Sequence, residues 1–113
     1  MSTAKLFVCI IEKEDKLEEI LEAFVEEGIT GASILETRGM FEYLADEIPL
    51  FAGFRNLINQ SGPQNKMIIS IRQDDEEVRR IMDVVEDVCG QFSNSNTGIM
   101  FSLDISAVRG FKS

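Results

Sequence analysis

Three short apolar runs rich in β-forming residues predict strands, and a fourth segment of mixed polarity, closed by Gly39, predicts another. Runs of this length predict strands that are covered on both faces, or on one face by helices and on the other by a partner chain. The four predicted strands are Lys5–Ile11, Ala32–Arg38, Lys66–Ile71 and Ile99–Ile105.

Two segments between these runs carry apolar residues at helical spacing instead. The first predicted helix has Asp15 as its N-cap and ends at Gly28, and the second is capped by Asp74 or Asp75 and ends at Gly90. Each has one apolar stripe with acidic residues left to water. The stripes are Leu17, Ile20, Leu21, Phe24 and Val25 in the first helix, and Val78, Ile81, Met82, Val85, Val88 and Cys89 in the second.

The resulting order is β-α-β, a long loop, then β-α-β. It predicts an α+β, ferredoxin-like βαββαβ sandwich, with a four-stranded antiparallel sheet and two helices on one face. With 113 residues, the chain has the length of a single domain, residues 1–113. The apolar side chains on the other face of the sheet need cover, and a closed homo-oligomer that packs sheets together would supply it.

The long loop, from about residue 40 to 65, has no sustained period, and loops of this length are more often functional than idle. Its apolar centre, Ile48–Ile58, has room for one or two helical turns. Phe51, Phe54 and Arg55 are the kind of anchor that protein interfaces favour, so they are candidates for docking a partner. The alternative, which stays open here, is that this segment folds back onto the core or a subunit cleft.

Charge and hydropathy narrow the classes of partner. The chain has 20 acidic and 11 basic residues and a net charge of −9, so nucleic acid and anionic membranes are unfavourable partners. No run approaches the ~20 apolar residues of a membrane-spanning helix, and no secretory signal is visible. Cys9 and Cys89 lie in apolar runs that suit reduced, buried thiols. We therefore expect a cytoplasmic protein that does not insert into membranes.

Residues for catalysis are scarce. The chain has no histidine, and no serine or cysteine lies in a nucleophile motif. No cluster has the spacing of metal ligands. We therefore predict a protein that binds and does not catalyse, without a metal site.

Two segments resemble a known family. GITGASILETRGM, from Gly28 to Met40, closely resembles the turn and second strand of the PII nitrogen-regulatory signal-transduction proteins. GIMFSLDISAV, from Gly98 to Val108, is similar to the family's fourth strand, and the acids before the second helix match as well. The resemblance spans almost the whole chain outside the long loop.

The resemblance implies a homotrimer with three clefts between subunits, each of which holds an adenine nucleotide in the founding members. It also implies that the loop of residues 40–65 controls a transporter or a metabolic enzyme. Matching the family's motifs position by position gives the effector-binding candidates Ser33, Gly39, Gly90, Gly98 and Arg109.

The chain departs from the family where phosphates are held. The segment Gly90–Gly98 contains no lysine or arginine, Ile99 stands where the family has a lysine, and Arg109 is one position out of register. A triphosphate needs cations or a dense nest of backbone amides, so we expect a less charged ligand: AMP, a nucleoside or an unrelated molecule. The cations considered for such a site are Arg38, Lys66, Arg109 and Lys112.

Two alternative functions remain at this point. One is a trimeric interaction module that binds no ligand. The other is a protein similar to the divalent-cation-tolerance family, which shares the trimeric scaffold, although the lack of histidine disfavours it.

Overall fold

The computed structural model describes residues 3–12, 15–54, 65–94 and 97–112, with the backbone alone at Phe54 and Asn94. These residues form four strands, three α-helices and two short 3-10 helices. The strands are β1 (Lys5–Ile11), β2 (Ala32–Thr37), β3 (Asn65–Arg72) and β4 (Gly98–Asp104). The α-helices are α1 (Asp15–Glu26), α2 (Met40–Glu47) and α3 (Asp75–Cys89), and the 3-10 helices are Pro49–Phe54 and Phe92–Asn94.

The strands form one antiparallel sheet in the order β2-β3-β1-β4. This is the ferredoxin-like α+β arrangement, so the predicted fold class is confirmed. Each predicted strand is present, with its ends within one residue of the predicted ends. The apolar runs located the central strands β1 and β3 well because buried central strands have few polar positions.

The core lies between the sheet and the two helices α1 and α3. Alternate residues of β1 point to this side, and Phe7, Cys9 and Ile11 are completely buried. Opposite Cys9 lies Ile68 of β3, which is also completely buried. The helices complete the core with Ile20, Phe24, Ile81, Val84 and Val85.

The two predicted helices end at their glycines as expected, and their N-terminal acids act as expected with one exception. At the end of α1, Gly28 has φ +73°, its N–H donates to the Val25 carbonyl, and the Ile29 N–H donates to the Phe24 carbonyl, which is a Schellman motif. Asp74, not Asp75, caps α3, because its side chain accepts from the Glu77 N–H at 3.0 Å. The exception is Asp15, which was predicted as the N-cap of α1 but lies within its first turn.

Two apolar positions were assigned wrongly from the helical spacing. Val25, predicted to belong to the buried stripe of α1, is 76% exposed, and Ala23 packs against the core instead. The stripe is centred on Ile20 and Phe24, and Val25 is about 100° further around the helix. In α3, Val84 is buried although the predicted stripe omitted it.

The prediction of two helices also missed α2, at the start of the long loop. Arg38, next to the end of β2, bonds to Asp46 at 2.9 Å and to Glu47 at 3.2 Å. Its guanidinium also lies 5.2 Å from the centroid of the Tyr43 ring. The helix was hard to predict because it has eight residues and no side-chain cap at Gly39.

The second face of the sheet, opposite the helices α1 and α3, is apolar. It presents Leu6, Val8 and Ile10 from β1, Met67, Ile69 and Ile71 from β3, and Ile99, Phe101 and Leu103 from β4. Ile99 and Leu103 are more than half exposed, at 56% and 54%. A surface of this composition is unfavourable in water and is typical of an interaction surface.

Candidate functional site

A cavity of about 660 Å³ lies at one corner of the sheet. Strand β2 begins opposite Ser70, two residues before β3 ends at Arg72, so the end of β3 extends beyond its neighbour. The turn before β2 and the tail after β4 border the space that this step leaves, and they contribute Thr30 and residues 108–112 to its lining. Ser33, near the start of β2, lines it as well.

The lining of this cavity is strongly basic compared with the rest of the chain. Arg72, Arg80, Arg109 and Lys112 line it, whereas Glu77 is the single acidic residue among its described lining residues. The chain as a whole has nearly twice as many acidic as basic residues. A concave site lined by one sign of charge concentrates ligands of the opposite sign, so the cavity favours an anion.

Arg72 is the most firmly positioned of the four cations. Its Nη1 donates to the Thr30 carbonyl at 3.0 Å and to the Ser70 hydroxyl at 3.2 Å, and its Nη2 donates to Glu77 at 2.8 Å. The side chain is 14% exposed. Its Nε is buried and has no hydrogen-bond partner among the described residues. A guanidinium held in this way needs little ordering when it binds a ligand.

Arg80 joins the cavity to the end of α1. Its Nη2 donates to the Glu27 carbonyl, and its Nη1 lies 3.6 Å from the Glu77 carboxylate. Glu77 therefore lies between two arginines, and α3 carries both Glu77 and Arg80 on the surface that faces the turn before β2.

The five effector-binding residues predicted from the sequence fall into two groups. Ser33 and Arg109 both line the cavity. The other three, Gly39, Gly90 and Gly98, lie at the opposite end of the sheet, where Gly98 pairs with Ile11 and Gly39 lies near Asn65. One copy of the chain does not bring the two groups together.

Gly98 has a structural role that the sequence did not indicate. A Cβ atom at this position would lie 1.9 Å from the Ile10 carbonyl oxygen. The neighbouring backbone atoms of Ile10 and Ile11 would be 3.0 and 3.1 Å away. Only glycine therefore allows β4 to start this close to β1.

Sequence reasoning missed Arg72 and Arg80, the two most ordered cations of the cavity. Neither belongs to a motif, and only the step between β2 and β3 brings them to the turn before β2. Two cations that it did propose are engaged elsewhere. Arg38 contacts α2, and the Lys66 ammonium lies 2.7 Å from the Glu36 carboxylate and holds the pKa of that carboxyl below its usual value.

The predicted docking residues Phe51, Phe54 and Arg55 are only partly described, so their role stays a prediction. Phe51 is half-buried, and the Phe54 side chain and Arg55 lie outside the described residues. The large apolar side chains that α2 and the following 3-10 helix expose are Met40 (67%), Phe41 (49%), Tyr43 (52%) and Leu50 (86%).

The described residues contain neither a metal-binding cluster nor a membrane-spanning helix. No group of three or more histidine, cysteine, aspartate or glutamate side chains in this part of the chain is arranged to hold a metal ion. Nor does this part contain a helix of the length and apolar character needed to cross a membrane.

Comparison with known proteins shows a similarity of fold and no similarity of sequence family. No family model matches the sequence, and no curated protein matches it. Among solved structures, the crystal structure of Arabidopsis thaliana PII bound to citrate is similar, with a TM-score of 0.63 over 93% of this chain and 79% of that one. The chain has the fold of a PII protein. The two sequences are 13% identical, so the similarity concerns the fold, and function is argued from the site.

Proposed function

We propose that this protein is a PII-like regulator that binds a small anionic effector in the cavity and controls a transporter or a metabolic enzyme through the segment after β2. The main support is the convergence of Arg72, Arg80, Arg109 and Lys112 on one cavity of a strongly acidic chain. Surface charges that served only solubility would have no reason to line one concave site.

The chemistry of the cavity favours phosphate or carboxylate groups. Arginine binds both with two parallel hydrogen bonds, and Ser33 and Thr30 add polar groups beside the apolar Ile69 and Ile71. An adenine nucleotide, with an apolar base and charged phosphates, suits such a mixed lining. Citrate, which is bound to the Arabidopsis PII protein, is a second candidate of the same charge type. The basic lining makes a neutral nucleoside, one of the ligands expected from the sequence, the weaker candidate.

Assembly into a homotrimer is part of this proposal and rests on two observations. The sheet has an apolar face on which Ile99, Phe101 and Leu103 are substantially exposed. The predicted effector residues lie at opposite ends of one chain, as they would if each cleft took one group from each of two neighbouring copies. A closed ring of identical subunits would cover the apolar face and complete the clefts together.

The exposed apolar side chains of α2 supply the surface that would contact a target. Met40, Phe41 and Tyr43 lie on a helix held by Arg38 at the end of β2, close to the predicted effector residue Gly39. A ligand near Gly39 would therefore be well placed to influence this helix. Aromatic residues and methionine are enriched at protein interfaces, which favours a protein target over a small molecule here.

Isothermal titration calorimetry tests the effector proposal. ATP, ADP, AMP, cyclic AMP and citrate are titrated into the wild-type protein, Arg109→Ala and Arg79→Ala. Arg79 is exposed and outside the cavity lining, so its variant has the same change in net charge. We expect Arg109→Ala to weaken binding about tenfold, since a charged hydrogen bond is lost, and Arg79→Ala to change it less than about twofold. Absence of heat with all five ligands at millimolar concentration would overturn the sensor function and favour a ligand-free interaction module.

A further inference from the structure

We propose that Glu77 is an internal competitor that occupies the anion site and is displaced when the effector binds. This inference rests on the proposed function, since it concerns the same cavity, and it assigns to Glu77 the control of affinity for the effector. Glu77 is the single acidic residue among the described lining residues, beside four basic ones, and its carboxylate contacts both ordered arginines.

The geometry at Arg72 shows how an exchange would proceed. In a guanidinium, Nε and Nη2 lie on one edge and together match the two oxygens of a carboxylate or phosphate. Glu77 takes Nη2 alone, at 2.8 Å, and the buried Nε has no acceptor among the described residues. Of the two donors on this edge of Arg72, only Nη2 therefore makes a hydrogen bond with a described residue. An effector oxyanion that takes both donors gains a bond that Glu77 does not make.

Release of Glu77 is inexpensive because its carboxylate is already near water. Its side chain is 32% exposed, whereas that of Arg72 is 14% exposed. Its backbone N–H is held by the Asp74 cap, so the first turn of α3 keeps its structure when the carboxylate leaves. A carboxylate in the first turn is also favoured by the helix dipole without an arginine partner.

The exchange would also free Arg80 for the ligand. Arg80 lies 3.6 Å from Glu77 and is anchored to the Glu27 carbonyl, so it stays at the cavity when Glu77 departs. Arg72 likewise keeps its bonds to Thr30 and Ser70. The effector then meets two arginines that are already in position, and α3 loses its Glu77–Arg72 ion pair with β3. Binding of the effector in the cavity would thus change the contacts of α3.

Binding measurements with Glu77→Gln and Glu76→Gln test the inference. Both residues lie in the first turn of α3 and both substitutions raise the net charge by one, but Glu76 is exposed and outside the cavity lining. Inorganic pyrophosphate and citrate serve as probes, at constant ionic strength. We expect Glu77→Gln to bind them about five- to tenfold more tightly than wild type, and Glu76→Gln to stay within about twofold.

A second readout follows the arginine itself. The Nε–H resonance of Arg72 is recorded by nuclear magnetic resonance during titration of wild type with pyrophosphate, and a downfield shift that saturates with binding is expected as Nε gains an acceptor. Equal affinities of Glu77→Gln and Glu76→Gln, with binding intact, would overturn this inference and leave the effector proposal standing. Absence of binding to every variant would overturn both.

Discussion

Replacement of Gly98 by alanine should disrupt the start of β4, whatever the ligand of this protein is. The added Cβ would lie 1.9 Å from the Ile10 carbonyl oxygen, whereas real Cβ contacts essentially never fall below 3.0 Å. The backbone must therefore move by at least the difference. The obstacle is main chain in a paired strand, so no side-chain rotation can relieve it.

The cost can be placed at the upper end of that seen for overpacked positions, about 3 kcal/mol. With an m-value of about 1.5 kcal/mol/M, this lowers the midpoint of urea unfolding by about 2 M. The assay is urea unfolding followed by circular dichroism, with all proteins at one concentration because any assembly would couple to folding.

Two other glycines serve as graded controls. Gly28 has φ +73° and open space around its Cβ position, so Gly28→Ala meets backbone strain without a clash and should cost about 1 kcal/mol. Gly53 has open space and no such φ, so Gly53→Ala should be nearly neutral. A midpoint for Gly98→Ala within about 0.5 M of that of Gly53→Ala would refute the reasoning.

Three further predictions concern other parts of the fold. Asp74→Ala removes the α3 cap and should cost about 1 kcal/mol in urea unfolding, and an unchanged midpoint would contradict the capping role. Arg38→Ala should speed amide hydrogen exchange in Met40–Glu47, because its ion pairs with Asp46 and Glu47 are lost. The control Lys16→Ala, which removes the Lys16–Glu19 ion pair on the surface of α1, should leave this exchange unchanged. Equal exchange in the two variants would mean that Arg38 does not hold α2. Burial raises the pKa of the Cys9 thiol to about 12 from its ordinary 9.0, so the unfolded state loses this proton first. Stability should therefore fall as pH rises from 9 towards 12, by up to about 1.4 kcal/mol per pH unit, and Cys9→Ala should show a shallower dependence between pH 9 and 10.5.

The sheet could be predicted from the sequence because its strands bury their side chains on the core side and keep apolar ones on the other. The runs at Lys5–Ile11 and Ile99–Ile105 leave little choice of secondary structure. The helix caps could be predicted for a similar reason, because Gly28 and Asp74 form hydrogen bonds with residues only three positions away. Short-range chemistry of this kind is visible in a sequence.

The basic cavity could not be predicted because it depends on tertiary geometry. Arg72 and Arg80 are ordinary residues at a strand end and on a helix surface, and the turn at Thr30 that meets Arg72 is 42 residues away in the chain. Conversely, Lys66 looked available in the sequence, but it is 8% exposed and paired with Glu36. Charges that lie far apart in sequence are brought together or neutralised only by the fold.

The helix α2 shows a third kind of limit. Its apolar residues cover about two turns, which is too short for a clear period, and its tie to β2 comes from Arg38, Asp46 and Glu47 acting over eight and nine residues. The segment was therefore predicted as an irregular loop. Its exposed side chains, Met40 and Phe41 among them, differ from the docking residues that the sequence suggested.

Native mass spectrometry with and without ATP, ADP and citrate tests the central claim most directly, because one spectrum reports both subunit number and bound ligand. The account predicts a trimer that takes up to three copies of at least one of these anions, and that takes fewer when Arg109 is replaced by alanine. A monomer whose mass is unchanged by every anion would contradict it.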